Sequence, residues 1–241
     1  MKRKTGPVVL LDLDGTLHDS SGFWVAASKN AIEAMVASGL KARPAEAFRR
    51  LEEIYSRNPN SSRHYNDLSA SFGCGEDPKI ISAGVKAFHE TKPKKLKPYP
   101  DAVRFLGFLE KNRIPFYLVT DGLEIKQWDK LHHLGLARFF GAKTVFCTGA
   151  KIRRHEEVPH EKNAAFYRMV LDKVGADASD VVVVGDKEKA DIAPPKSLGA
   201  VTVKVLRGKY AGEKTAADHA VRSFREVERV INAMVEGKRI G

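Results

Sequence analysis

The sequence predicts an α/β protein, a three-layer core around a parallel central sheet, with an all-helical domain inserted near its start. Three observations carry this reading. Short apolar runs rich in β-branched residues recur at Val8 to Leu13, Phe116 to Val119, Lys143 to Cys147, Val181 to Val184 and Val201 to Val205. Stretches with helical periodicity lie between these runs, and such alternation buries parallel strands between two helical layers. The stretch from 20 to 97, by contrast, lacks strand-like runs and reads as helices throughout.

Taken in order, Val8 to Leu13 is the first strand, stopped by the turn signal Asp14-Gly15-Thr16. The inserted helices are Phe23 to Val36, Pro44 to Ser56, Arg63 to Phe72 and Pro78 to His89. Phe48, Leu51 and Tyr55 share one helical face, and breakers at Gly39, Asn58-Pro59-Asn60, Gly73 and Gly75 separate the segments. A Pro- and Lys-rich stretch, KPKKLKPYP, reads as the linker back to the core. Beyond it, Asp101 reads as a helix N-cap ahead of Phe105, Leu106 and Leu109. Ile125, Trp128, Leu131 and Leu134 form the next apolar face, with Gly135 as its stop, and Phe166, Val170, Leu171 and Val174 repeat the pattern before Gly175. Phe224, Val227, Val230, Ile231 and Met234 give a closing helix. The expected domains are therefore a core of 1–19 and 98–241 and a helical domain of 20–97.

Bulk properties narrow the function. At 241 residues and 43% hydrophobic content the chain can bury a sizeable core. No run approaches the roughly 20 apolar residues of a membrane span. The basic start, Met1 to Pro7, lacks the long apolar stretch and cleavage site of a secretory signal. Cys74 and Cys147 have no metal-like spacing and read as free thiols in a reducing compartment, so the expected location is cytoplasmic. The net charge of +11 favours anionic partners. Its densest patches, Lys2 to Lys4, Lys92 to Lys97 and Lys151 to Arg154, are short and read as solvated surface. No nucleic-acid recognition motif accompanies them, so a nucleic-acid partner is not expected.

Three strand ends carry the chemistry. Asp12-Leu13-Asp14-Gly15-Thr16 follows the first apolar run, which places both carboxylates where open α/β sheets bind ligands. One can attack an electrophile while the other manages protons. Val119-Thr120-Asp121-Gly122 ends the second strand; a hydroxyl with turn amides there can hold phosphate oxygens. Val181 to Asp191 is a strand ending in Gly185-Asp186, with Asp191 five residues further on. Asp12 and Asp186, from two strand ends, suit a hard cation such as Mg2+. Each motif alone also fits a plain turn, a helix cap or a surface charge; the joint occurrence points to a site. His18 and Asp19 lie where the insertion begins, as substrate contacts or as a hinge. Trp24, Trp128, Tyr55 and Phe48 read as packing residues.

Together these residues resemble the haloacid dehalogenase superfamily, in particular its members with a helical cap after the first motif. Asp12 to Thr16 matches the DxDGT motif, Thr120 the second motif, and Asp186 with Asp191 the fourth motif, GDxxxxD. Thr120 to Phe140 also looks like a set of archaeal phosphatases of that group. The resemblance implies a Rossmann-like core and a Mg2+-dependent phosphohydrolase acting on a small phosphorylated substrate. It implies that Asp12 forms an aspartyl-phosphate and that Asp14 protonates the leaving alcohol, then activates water. Asp12, the Asp14 carbonyl and Asp186 would hold Mg2+ with Asp191 in support, while Thr120, Asp121 and Gly122 would bind the phosphoryl group. True dehalogenases lack a carboxylate at the position of Asp14. The third motif is a lysine, and here counting back from Asp186 puts Glu161 in its place, with Lys162 one residue late and Lys151 as a second candidate. In this architecture the cap selects the substrate and closes over the site. Two other readings fit the same residues: a phosphomutase, and a nucleic-acid-binding or scaffold protein on a retired enzyme fold.

Overall fold

The computed structural model describes residues 6–58, 61–149, 159 and 161–236. The patches Lys2 to Lys4 and Lys151 to Arg154, and with them the candidate Lys151, lie outside the described residues. The chain divides into two compact units, one formed by Ser21–Leu96 and the other by the residues on either side of it.

The α/β unit is built on one six-stranded sheet: β1 (Val8–Leu11), β2 (Phe116–Leu123), β3 (Val145–Gly149), β4 (Val181–Gly185), β5 (Val201–Val205) and β6 (His219–Val221). The strand order is β3-β2-β1-β4-β5-β6 and every neighbouring pair is parallel. β1 is fully buried and pairs with β2 on one side and β4 on the other, in the registers Leu11↔Leu118 and Leu11↔Val184. Chain direction across the sheet reverses at β1, and the carboxyl end of such a strand is where open α/β sheets bind ligands. The helices of this unit are α5 (Pro100–Lys111), α6 (Glu124–His133), α7 (Ala164–Val174), the short α8 (Ala193–Ser197) and α9 (Phe224–Val235). Gly175, at φ 68°, closes α7 in the left-handed conformation that glycine adopts at least cost. Phe166, Tyr167 and Val170 of α7 pack on Val8, Leu10, Val181 and Val183, so one face of the sheet is sealed by apolar contact.

The second unit consists of α1 (Ser20–Ala37), α2 (Pro44–Arg57), α3 (His64–Ser71) and α4 (Pro78–Lys95). Ile32, Met35, Leu40, Ala47, Leu51, Leu68 and Ile80 form its buried centre. Trp24 lies 5.8 Å from the Phe48 ring and 4.9 Å from the Tyr55 ring, so these aromatics pack against each other within the helical unit. Among the described residues no helix is long and apolar enough to cross a membrane, and both cysteines are free.

Several elements differ from the sequence reading. The expected linker at Lys92 to Lys97 is mostly helix, because α4 runs on to Lys95. Lysines in a last turn favour the helix carboxyl end, and Leu96, buried, anchors the exit, its amide bonded to the Lys92 carbonyl at 2.9 Å. Strand β1 stops at Leu11, where the turn begins, and β3 lies two residues later than the apolar run placed it. β6 was not expected at all; three residues are too few to show a period.

Asp101 is not the α5 N-cap, which is Tyr99, with Pro100 opening the helix. Its carboxylate instead takes both guanidinium nitrogens of Arg207 and the Phe224 amide at 3.0 Å, tying α5 to the first turn of α9. Burial alone would raise this carboxyl, but Arg207 and the amide hold it below its ordinary value. The contribution is therefore complete above the unfolded-state pKa and fades as pH falls through the lower folded one. Asp101→Asn is expected to cost about 1–3 kcal/mol at neutral pH. Chemical denaturation at neutral and acid pH checks this; the gap to wild type should close in acid.

Candidate active site

The carboxyl ends of β1 and β4 each deliver an aspartate. Asp12 follows β1, is 3% exposed, and its amide bonds the Val184 carbonyl of β4 at 3.0 Å. Asp186 follows β4 and is also buried. Between them the chain must turn very tightly. Gly15 sits at φ 93°, and a Cβ there would fall 2.1 Å from Asp186 Oδ2. Only glycine permits both the backbone conformation and this approach. Gly185 allows a similar close approach of Asp191, whose Cβ would stand 2.2 Å from a Cβ at position 185.

Asp191 comes from the π-helical turn Glu188–Ile192 and is fully buried, not a surface charge. Its Oδ2 accepts the Lys187 amide at 3.0 Å, fixing the side chain back onto the strand end. Ligand oxygens of Asp12, Asp186 and Asp191 all lie within 4.8 Å of one another. Thr16 Oγ1 donates to Asp12 Oδ2 at 3.1 Å. Lys162 reaches in from the turn before α7: its Nζ lies 2.5 Å from Asp12 Oδ1 and 2.5 Å from Asp191 Oδ1, and its side chain is wholly buried. Glu161, the alternative by counting, is exposed. Asn163 caps α7 by accepting the Phe166 amide at 3.0 Å, which sets the turn and aims Lys162 at the strand ends.

The charges do not balance. Lys162 bonds two of the three buried carboxylates and the Lys187 ammonium acts electrostatically on all three, which leaves negative charge in excess. Burial, then repulsion from Asp12 and Asp191, pushes Asp186 up to about 8. Burial likewise raises Asp191, against the pull of Lys162. Burial works against charge on Lys162, but Asp12 and Asp191 outweigh it and hold the ammonium firmly protonated. Among the described residues, Asp186 Oδ1 is buried without a hydrogen-bond partner. A buried, unpaired carboxylate oxygen facing two further carboxylates fits a hard cation with oxygen ligands. A divalent cation at about 100 times its dissociation constant should therefore stabilise the folded chain by about 2.7 kcal/mol. Thermal melts with cation and with chelator check this, and Asp186→Asn should erase most of the difference.

Asp14 stands apart from this cluster. Its Oδ1 accepts His18 Nε2 at 2.8 Å and its Oδ2 is ion-paired with Lys130 of α6. Burial alone would raise its pKa, but Lys130 and His18 hold the carboxyl well below the usual carboxylate range. Lys130 and its neighbour Gln127 were missed by the sequence reading. The apolar pattern of α6 put Ile125 on the buried face, yet Ile125 is exposed and Gln127 is buried. The polar strand end explains this. Gln127 Nε2 donates to the Asp121 carbonyl at 2.7 Å, and Thr120 Oγ1 donates to Gln127 Oε1 at 3.3 Å. The expected turn at Asp121-Gly122 is an irregular continuation of β2, with its register shifted between Thr120 and Leu123 and Gly122 at φ 110°. The Gly122 amide is bonded to Thr148 Oγ1 at 3.1 Å. The register Leu11↔Leu118 sets Thr120 one strand over from the Asp12–Asp14 turn.

A family model for haloacid dehalogenase-like hydrolases matches residues 7–199. The chain is 33% identical to a glyceraldehyde 3-phosphate phosphatase of Methanocaldococcus jannaschii, over 92% of this chain and 96% of that protein. It is 35% identical to the glyceraldehyde 3-phosphate phosphatase of Methanopyrus kandleri, over 92% of each. Among solved structures, a HAD phosphatase from Thermococcus onnurineus superposes with a TM-score of 0.65 at 21% identity, covering 97% of this chain and all of that one.

Proposed function

The chain belongs to the haloacid dehalogenase-like hydrolases, and from that premise we propose that Asp12 is the nucleophile of a Mg2+-dependent phosphatase acting on a small phosphorylated metabolite, glyceraldehyde 3-phosphate first among them. It is a phosphate-ester hydrolase, and the relatives named for that substrate span most of its length. The observation that carries the chemical assignment is the Lys162 contact with Asp12 inside the three-carboxylate cluster.

The steps follow from the side chains. Lys162 and Thr16 each take one oxygen of Asp12, which fixes the carboxylate plane and leaves lone pairs for attack on phosphorus. As the Asp12 oxygen–phosphorus bond forms, the bond to the leaving alcohol breaks, and the alcohol oxygen takes a proton delivered by Asp14, which must acquire it from solvent or substrate before this step because Lys130 and His18 keep the resting carboxyl ionised. The ionised Asp14 then takes a proton from water as the water oxygen attacks phosphorus and Asp12 is released. Asp12, Asp186 and the Asp14 carbonyl would hold Mg2+, with Asp191 behind them; when bound, the ion supplies positive charge against the phosphoryl oxygens. Lys162 adds charge to the same oxygens, since phosphoryl transfer asks chiefly for positioning and neutralisation. We assign phosphoryl contact to the Thr120–Gly122 strand end. Chemistry in 1–19 and 98–241 and substrate choice in 20–97 belong to the same proposal.

The test is phosphate release from glyceraldehyde 3-phosphate, with p-nitrophenyl phosphate as a generic ester, with Mg2+ and with chelator. Mg2+-dependent release, fastest on glyceraldehyde 3-phosphate, is the expected result. Isomer formation without phosphate release would identify a mutase instead, and inactivity on every ester would overturn the reading.

A further inference from the structure

The two oxygens of the Asp14 carboxylate are held by one residue near it in sequence and one far from it. His18, four residues on, takes Oδ1 at 2.8 Å and is itself buried. Lys130, from the middle of α6, takes Oδ2. The backbone closes the same loop: Asp14 and His18 form an isolated β-bridge, and His18 forms a second with Pro98. Lys130 also reaches Gln127 Oε1 at 3.4 Å, the atom that accepts the Thr120 hydroxyl. A continuous polar chain therefore runs from Asp14 through Lys130 and Gln127 to the end of β2.

We propose that Lys130 is a positioning residue that fixes the Asp14 carboxylate for proton exchange with the leaving alcohol, and that it couples this group to the strand end carrying Thr120. The inference rests on the phosphatase reading above and adds to it a residue outside the motif set. Its warrant is geometric. An aspartate carboxylate turns about a broad, two-fold torsion, so a single hydrogen bond leaves its plane loosely set. Two donors, one on each oxygen, define that plane. Each oxygen keeps a further lone-pair direction open, so the clamp does not use up the group it orients. The helical setting is rigid: the α6 side chains that flank Lys130 are Gln127, buried against the strand end, and Leu131, buried in the core. Lys130 itself is 27% exposed, and methionine nearly matches the length of its aliphatic stem.

A positioning role through Asp14 has a consequence that a packing role lacks. An alkyl phosphate expels a strongly basic alkoxide and depends on the proton from Asp14. p-Nitrophenyl phosphate expels a stable phenolate and depends on it little. The measurement is kcat/KM, which reports the step in which the leaving group departs, for wild type, Lys130→Met, Lys130→Gln and Lys130→Arg on both esters. The expected result for the Met and Gln variants is a loss of about 100-fold on glyceraldehyde 3-phosphate, and of about five-fold or less on p-nitrophenyl phosphate. Arg, which keeps a charged donor, should recover most of the loss. Equal losses on the two esters, or no loss on the alkyl ester, would overturn the role of Lys130 while leaving the phosphatase reading intact. Wild-type inactivity on both esters would instead overturn the reading on which the proposal rests.

Discussion

Asp12→Asn is expected to lower phosphate release by at least about 10⁴-fold, because the amide oxygen is a poor nucleophile and no neighbouring group can replace it. Asp186 and Asp191 are both buried, and Asp191 is locked by Lys162 and the Lys187 amide. Neither occupies the strand end that Thr16 and Lys162 frame around Asp12. The substitution keeps the shape of the side chain and removes one of three mutually repelling carboxylates. Chain stability without added metal should therefore change little even as activity vanishes. Phosphate-release assays and denaturation curves on the same preparation check both halves. A variant that unfolds would show that Asp12 acts mainly as a structural partner of Lys162.

Lys162→Met has a different profile. Removing one partner of a buried ion pair leaves uncompensated charge and costs about 3–5 kcal/mol. Here three carboxylates would be left facing one another, so the penalty falls on a group already short of positive charge. Activity should fall by about 10²–10³-fold, the usual cost of deleting one preorganised donor to developing charge. The distinguishing expectation concerns metal. Without the ammonium, the carboxylates should bind a divalent cation more strongly, so cation should raise the melting temperature of Lys162→Met by more than it raises that of wild type. Calorimetry with and without Mg2+ checks this; an unchanged or smaller increment would show that Lys162 and the cation do not share the same charge.

The parts of the site legible in the sequence were those in which local pattern and chemistry coincide. The apolar run before Asp12 and the Gly15-Thr16 turn mark a strand end without further help, and Val181 to Gly185 before Asp186 does the same. Lys162 was harder to place. Spacing counted along the chain favours Glu161, yet the direction of a side chain is set by the turn capped by Asn163, and one residue there decides between pocket and solvent. Lys130 could not be read at all, since its partner Asp14 is distant in sequence and a lysine on an amphipathic helix looks like surface. Gln127 was hidden for a related reason: periodicity marks apolar faces, and here a polar side chain is buried because the strand end needs a donor and an acceptor. Asp101 was misread as a cap because its distant partner, Arg207, leaves no local trace.

On the proposed mechanism, phosphate passes through Asp12. The most direct test is to quench the enzyme during rapid turnover of glyceraldehyde 3-phosphate with Mg2+, reduce acyl phosphates with borohydride, and map the peptides by mass spectrometry. Homoserine is expected at position 12, absent without substrate and absent in Asp12→Asn. Steady phosphate release with position 12 unmodified, and homoserine at another carboxylate or at none, would contradict it.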